Sequence, residues 1–84
     1  MHSLCYIMST SDMFNAACAY LDAECAKCIA DLAPSPEVQA RLDVNAYKER
    51  AYYDLAYKDP DIVMNCARQW ARLFYSTVVA EIEK

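Results

Sequence analysis

Two cysteines separated by two residues, Cys25 and Cys28, come nearest in this sequence to a chemical site. Together with His2 and Cys5 they would supply four ligands of the types and spacing that bind structural zinc. A zinc site usually needs a tight turn that folds its ligands inward, and the chain contains no glycine. Both cysteines also fall on the apolar face of a predicted helix. Buried thiols are therefore the favoured interpretation, and no metal or cofactor is expected.

The same cysteine pair could instead form a redox dithiol or a catalytic nucleophile. Redox dithiols work at a helix start, where the helix dipole lowers the thiol pKa, whereas this pair is predicted to lie well inside a helix. His2 is the only histidine, and it lies on no predicted rigid element that could hold it beside a cysteine. Carboxylates such as Asp22 and Asp31 are typical of a solvated helix face. We therefore predict that the protein is not an enzyme.

Length and composition favour a small helical domain built to bind a protein. The chain has 84 residues, of which 57% are apolar, so a packed domain is expected. The lack of glycine argues against β-hairpins and nucleotide-binding loops. The formal net charge is −4 and the basic residues are scattered, which argues against direct nucleic-acid binding. An acidic chain fits a protein with a basic surface better, including a protein that handles nucleic acid.

Membrane insertion and a disulfide framework are both disfavoured. No apolar run approaches the roughly 20 residues that a membrane span needs. The cysteine count is five, an odd number, and four of these cysteines fall in predicted helices. A reducing cytoplasmic setting is therefore predicted.

Helix start and stop signals divide the chain into three long amphipathic helices. The first is predicted to begin after Ser9 or Ser11 and to end near Leu32. The second is predicted to begin at the Ser35 cap and to end near Lys58.

Two further signals refine this division. The apolar phase of the second helix shifts near residues 43–45, which predicts a kink or a fresh start capped by Asn45. The run Asp59-Pro60-Asp61 is typical of the start of a last helix. The prediction is an all-α fold, a small antiparallel bundle of three helices, or of four if the second is split near residue 44. A single helical domain would span residues 1–84, with residues 1–8 forming an apolar N-terminal arm.

The predicted core follows from apolar residues that recur at steps of three and four. On the last helix this rule selects a stripe that includes Trp70 and Leu73. The complete predicted core is Phe14, Cys18, Leu21, Cys25, Leu32, Val38, Leu42, Leu55, Val63, Cys66, Trp70 and Leu73.

Three surfaces are candidates for binding a partner. A group of tyrosines beside an arginine has the composition of many interfaces, although tyrosines that cap the core are an equal alternative. This predicted partner-binding group is Tyr47, Arg50, Tyr53 and Tyr57. The end of the last helix is apolar on nearly every side, so self-association is predicted there unless the arm at residues 1–8 covers it. This predicted self-association group is Phe74, Tyr75, Val78, Val79 and Ile82.

The third surface is a row of alanines along the first helix, opposite its predicted core stripe. Small residues in a row allow another helix to approach closely, but alanine is also the best helix former on a free surface. The second interpretation is favoured. The row consists of Ala16, Ala19, Ala23, Ala26 and Ala30.

The function most consistent with these features is a small, non-catalytic regulator or inhibitor that binds a protein. Short acidic chains of this character are found among phage- and plasmid-encoded inhibitors of host systems, including anti-CRISPR and anti-restriction proteins. A homodimeric structural or assembly protein is the alternative. A small zinc-stabilised module is less favoured. No motif in the chain identifies a family.

Overall fold

A computed structural model describes residues 10–84, so the predicted arm at residues 1–8 lies outside the described part of the chain. The helices are α1 (Thr10–Leu32), α2 (Pro36–Leu42), α3 (Val44–Ala56) and α4 (Val63–Glu83). Residues 10–84 contain no strand. The predicted all-α fold is confirmed, and the second predicted helix is split at residue 43, as the phase shift indicated.

Short-range capping interactions set the boundary between α1 and α2. Pro34 and Pro36 cannot continue α1, because proline lacks the N–H that a helix interior needs. The Ser35 side chain accepts a hydrogen bond from the Val38 N–H at 3.3 Å and so caps α2, while Pro36 occupies its first turn.

Asp43 separates α2 from α3 and caps α3 as well. Its backbone lies in the left-handed region, with φ 48° and ψ 67°, a conformation that aspartate tolerates better than most residues. Its carboxylate accepts a hydrogen bond from the Ala46 N–H at 3.3 Å. The cap of α3 is therefore Asp43, and the prediction of Asn45 was two positions late.

The last helix begins later than its start signals predicted. The carbonyl of Asp59 accepts hydrogen bonds from the Ile62 and Val63 N–H groups, each at 3.0 Å. Residues 60–62 therefore form a turn, and α4 begins at Val63. The Asp59-Pro60-Asp61 run marks the turn that leads into the helix.

Two core clusters show how the helices run relative to one another. The first contains Leu21, Cys25, Cys28, Tyr47, Ala51, Phe74 and Val78. The second contains Ala17, Leu55, Val63 and Ala67. Early residues of α1 thus pack with early residues of α4 and with the late part of α3. Helices α1 and α4 run in the same direction, and α3 runs antiparallel to both, as in an up-down-up bundle.

Polar contacts attach α2 and α3 to their neighbours. Arg41 on α2 forms an ion pair with Glu81 on α4, with 3.0 Å between Nε and Oε1. The Tyr52 hydroxyl on α3 donates a hydrogen bond to Asp22 on α1. The Lys48 Nζ lies 3.7 Å from the same carboxylate. These contacts lie at the edges of the bundle, where water screens them, so the apolar clusters contribute most of the stability.

Every predicted core residue on α1, α2 and α3 is buried or partly buried, although the core also contains Ala17, Tyr47 and Ala51, which the prediction omitted. On α4 the buried side is rotated by about one residue position from the prediction. Phe74 is 1% exposed, whereas its predicted counterpart Leu73 is 52% exposed. The buried members of the predicted core are Leu21, Cys25, Val38, Leu55 and Val63. Its partly buried members are Phe14, Cys18, Leu32, Leu42, Cys66 and Trp70.

Two buried alanines mark the side of α4 that faces α1. Ala17 and Ala67 are both 0% exposed and belong to the same core cluster. Small side chains allow the backbones of α1 and α4 to approach closely at this level. With Ala67 turned inward, the helical period also carries Phe74 and Val78 inward and moves Leu73 outward.

Candidate protein-binding surfaces

The cysteine pair lies in the core. Cys25 is 2% exposed and Cys28 is 7% exposed, and both lie in the cluster around Phe74. Burial raises the pKa of the Cys25 thiol to about 11, so the thiol is protonated and poorly nucleophilic near neutral pH. Within residues 10–84, no three side chains of the metal-binding types converge. The other predicted ligands, His2 and Cys5, lie outside the described residues.

Tyr47 was placed wrongly in the partner-binding group, because it is a core residue. It is 5% exposed, and its ring packs edge-on against Trp70 with centroids 5.5 Å apart. Its hydroxyl donates to the Trp70 backbone carbonyl at 2.6 Å. Burial raises the pKa of this phenol to about 12. The Arg50 guanidinium lies on the exposed side, 5.6 Å above the Tyr47 ring centroid.

Tyr53 and Tyr57 are exposed, as the partner-binding prediction requires. They are 70% and 74% exposed, the largest values among the large apolar side chains of the described chain. The two rings lie 5.2 Å apart with an angle of 58° between their planes, and the hydroxyls are 3.4 Å apart. This ring pair leaves a large aromatic area in water on one side of α3.

A groove between α3 and α4 lies next to this ring pair. Its residues are Asp54, Lys58, Cys66, Gln69, Trp70 and Leu73, and its volume is about 280 Å³. Asp54 and Lys58 follow Tyr53 and Tyr57 directly in the sequence, so the ring pair borders the α3 wall of the groove. We call the ring pair and this groove together the tyrosine face.

The charged groups of the tyrosine face are satisfied within the chain. The Trp70 indole N–H donates to Asp54 at 2.8 Å, and the Lys58 Nζ lies 3.4 Å from the same carboxylate. The indole hydrogen bond, followed by Lys58, holds the pKa of Asp54 below its usual value. Prediction from sequence did not include Trp70, Asp54 or Leu73 in this site. The four-residue spacing of Asp54 and Lys58 was the available signal.

The self-association group is divided by the rotation of α4. Phe74 and Val78 are 1% and 0% exposed, so both were placed wrongly on a surface and in fact form the core. Tyr75 is 51% exposed and Ile82 is 41% exposed, while Val79 is partly buried. These three residues leave an apolar strip on the side of α4 away from α3.

A second groove, between α1 and α4, runs beside Tyr75. Its α1 wall contributes Tyr20, Glu24, Lys27, Cys28 and Asp31, and its α4 wall contributes Arg68, Ala71, Arg72 and Tyr75. The Arg68 guanidinium lies 6.0 Å from the Tyr20 ring centroid. The predicted alanine row on α1 adjoins this groove, and its members Ala19, Ala23, Ala26 and Ala30 are exposed. We call this groove with its adjoining alanines the charged face.

Comparison with known proteins identifies no relative of this chain. It matches no protein-family model, no curated protein and no solved structure. None of the helices in residues 10–84 is both long enough and apolar enough to cross a membrane.

Proposed function

We propose that the protein is a non-catalytic binding module that contacts a partner protein through the tyrosine face. The observation that supports this most directly is the exposure of Tyr53 and Tyr57, 70% and 74%, beside a groove that contains Leu73 and Trp70. Tyrosine and tryptophan dominate the energetic centres of protein interfaces, because each offers a large rigid ring and a polar group. Exposed rings contribute most to the free energy of binding, because a partner that covers them removes a large apolar area from water.

The chemistry of the face favours a protein with apolar and basic groups as the partner. The Asp54 and Lys58 charges neutralise each other, so the groove itself presents apolar area. Beyond Tyr57, the turn carries the exposed residues Asp59 and Asp61, and neither forms an ion pair within residues 10–84. An acidic rim beside an apolar groove complements a partner with basic residues around an apolar anchor.

The exposed ring pair favours a protein over a small molecule, because two rings that are 70% and 74% exposed beside the groove need a broad surface to cover them. The partner would be a regulated or inhibited protein with a basic surface, which includes proteins that handle nucleic acid.

The test uses a photocrosslinking amino acid at two matched positions in the full chain. One variant carries benzoylphenylalanine in place of Tyr57, and the control carries it in place of Tyr75, which is also exposed but belongs to the charged face. Each is expressed in the source cells and irradiated. The proposal expects a crosslinked protein at position 57 that is absent at position 75.

A pull-down with variant baits tests whether the crosslinked protein binds through the rings of Tyr53 and Tyr57. The same crosslinked protein should be retained by a wild-type bait and lost by a Tyr53→Ala/Tyr57→Ala bait of unchanged helicity. A Tyr75→Ala bait should retain it. If the double variant retains the protein as well as wild type does, or if positions 57 and 75 crosslink the same proteins, the tyrosine face is not the binding surface.

A further inference from the structure

The arm at residues 1–8 is joined to the bundle at the end where the tyrosine face begins. Helix α1 starts at Thr10, and Phe14 in its second turn packs against the cluster that contains Leu55 and Val63. Leu55 lies near the end of α3, and Val63 is the first residue of α4. The chain that precedes Thr10 is therefore attached beside the turn that connects α3 to α4.

One side of α4 carries an apolar strip that starts at this same end. Its members Ile62, Cys66 and Leu73 recur at helical spacing, and Trp70 lies beside them in the groove of the tyrosine face. Ile62 is 43% exposed and Leu73 is 52% exposed, so residues 10–84 leave the strip partly uncovered. At 1.5 Å per residue, the strip is about 16 Å long.

The length of chain before α1 is sufficient to reach this strip. Cys5 precedes Thr10 by five positions, so an extended chain places it up to about 17 Å from Thr10. Crossing the end of the bundle to the strip takes about one interhelical distance, roughly 8–10 Å. Cys66 lies one helical turn beyond Ile62, about 6 Å further along α4. The arm therefore reaches the groove at the level of Cys66.

The same reach excludes the apolar end of α4, the other surface that the arm was predicted to cover. Val79 and Ile82 lie about 24 Å and about 28 Å along α4 from Val63. Leu4 begins the apolar run of the arm, and it reaches no more than about 20 Å from Thr10. The run therefore stops short of this end of the helix.

The composition of the arm suits the tyrosine face better than the charged face. The run Leu4–Met8 is entirely apolar, and residues 1–8 contain no aspartate, glutamate, lysine or arginine. In the tyrosine-face groove the charged residues are Asp54 and Lys58, which pair at 3.4 Å, so an apolar cover leaves them paired. The groove of the charged face has charged residues on both walls. An apolar segment there would remove them from water without supplying polar partners.

We propose that the arm docks in the groove of the tyrosine face, with the run Leu4–Met8 over the strip from Ile62 to Trp70. Because the arm is tethered to α1, its effective concentration at the groove is in the millimolar range, so a modest apolar contact suffices. The ring pair on α3 stays available. A partner contacts the rings first and displaces the arm from the α4 wall, and this displacement rests on the proposed function.

Two native cysteines test the docking in the absence of a partner. Cys5 lies in the run, and Cys66 lines the groove. The full-length chain with Cys18→Ser is oxidised by glutathione disulfide at about 1 μM, where intrachain pairing dominates. The Cys5–Cys66 disulfide, measured by peptide mass spectrometry, should form at least about tenfold faster than the disulfide of Cys5 in a Cys66→Ser/Arg68→Cys control.

Arg68 is a matched control position. It lies two residues after Cys66 on α4, so it is at nearly the same height in the bundle, but it belongs to the charged face. Its side chain is exposed, whereas Cys66 is only partly exposed, so unequal access favours the control. An arm without a preferred site would reach both positions equally. Equal rates, or a faster rate in the control, overturn the proposal.

The only tryptophan of the chain, Trp70, provides a second measurement, because it lines the groove. Leu4→Asp/Ile7→Asp in the full chain should raise the acrylamide quenching constant of Trp70 at least about twofold, since docking would then bury two carboxylates. The control His2→Asp/Ser9→Asp adds the same charge outside the run and should leave quenching unchanged. Equal quenching of wild type and both variants, or equal increases in both variants, overturns the proposal.

Binding to the protein crosslinked at position 57 separates this inference from the proposed function. Leu4→Asp/Ile7→Asp should bind that protein at least about threefold more tightly than wild type, because no arm has to be displaced. An unchanged or lower affinity overturns the arm as a cover of the binding surface and leaves the proposed function standing. Failure to find any crosslinked protein contradicts the proposed function, while the disulfide and quenching results still decide whether the arm docks.

Discussion

The two sides of helix α4 differ in how their polar groups are satisfied. On the side toward α3, the carboxylate of Asp54 already accepts the Trp70 indole N–H and lies near Lys58. The surface that a partner can cover consists mainly of the Tyr53 and Tyr57 rings and of aliphatic side chains. Asp59 and Asp61, in the turn after α3, form its acidic rim. Such a surface fits a different protein that brings apolar anchors and basic groups.

On the side toward α1, the groove holds charged groups of both signs, and Arg68 among them donates a hydrogen bond to the Asn65 side-chain oxygen at 3.0 Å. Apolar area contributes less there, because Ala71 and half-exposed Tyr75 are its main apolar groups on α4. The comparison shows that two grooves along one helix can offer a partner different chemistry, which the overall composition does not reveal. A net charge of −4 on its own distinguishes neither surface.

The largest expected effect concerns the residue on which both faces depend. Phe74→Ala should lower the free energy of unfolding by about 3–5 kcal/mol, because it empties the centre of the larger core cluster. Leu73→Ala, one position earlier and 52% exposed, should lower it by less than about 1 kcal/mol. Urea denaturation followed by circular dichroism measures both. Equal losses for the two variants would mean that α4 turns Leu73 inward, contrary to the structure.

A smaller effect on stability is expected at Tyr47, the buried member of the tyrosine group. Tyr47→Phe removes the hydroxyl that donates to the Trp70 carbonyl at 2.6 Å and leaves that carbonyl without this donor. The variant should lose about 1 kcal/mol of stability, whereas the exposed Tyr53→Phe should change stability by less than about 0.5 kcal/mol. Thermal melts of the two variants against wild type make the comparison. A larger loss at Tyr53 would reverse the assignment of core and surface tyrosines.

The smallest expected effect is the pH dependence contributed by Asp54. Its pKa is lower in the folded chain than the usual 3.8, so the folded state favours the ionised form. The resulting stability is present above the unfolded pKa and is lost as the pH falls through the folded pKa. Because the group is more than a third exposed, the contribution should stay below about 1 kcal/mol.

The Asp54→Asn variant isolates this contribution. The unfolding free energy of wild type should fall more steeply than that of the variant between about pH 5 and pH 2. Above pH 5, the two curves should run parallel. Identical slopes across the acid range would show that the indole hydrogen bond and Lys58 do not stabilise this carboxylate, so the tyrosine face would not be neutralised internally as described.

Much of the fold could be predicted from local signals, because these act over one helical turn. Ser35 with Pro36 predicts the start of α2, since a side-chain oxygen satisfies a free N–H and proline suits the first turn. The phase shift near residue 44 predicts the break that Asp43 makes. The start of α4 was missed, because a proline between two aspartates is compatible with a turn as well as with a helix.

The binding surfaces were predicted only in part, because exposure depends on neighbours distant in the sequence. Tyr53 and Tyr57 were identified from their type and four-residue spacing. Tyr47 has the same side chain, but it faces the core from α3 and is buried beside Trp70 and Phe74. Of the charged face, only Tyr75 and the alanine row were among the predicted surfaces, since its two walls come from helices at opposite ends of the chain.

By itself, the sequence determined that the chain forms helices, where most of them begin and end, and that they bury one side each. Two apolar stripes on α4 satisfied the helical period almost equally well, one through Leu73 and one through Phe74. Only the tertiary structure decided between them. Ala17 and Ala67 are buried in one cluster between α1 and α4, and with Ala67 turned inward the helical period places the aromatic ring of Phe74 in the core beside Tyr47.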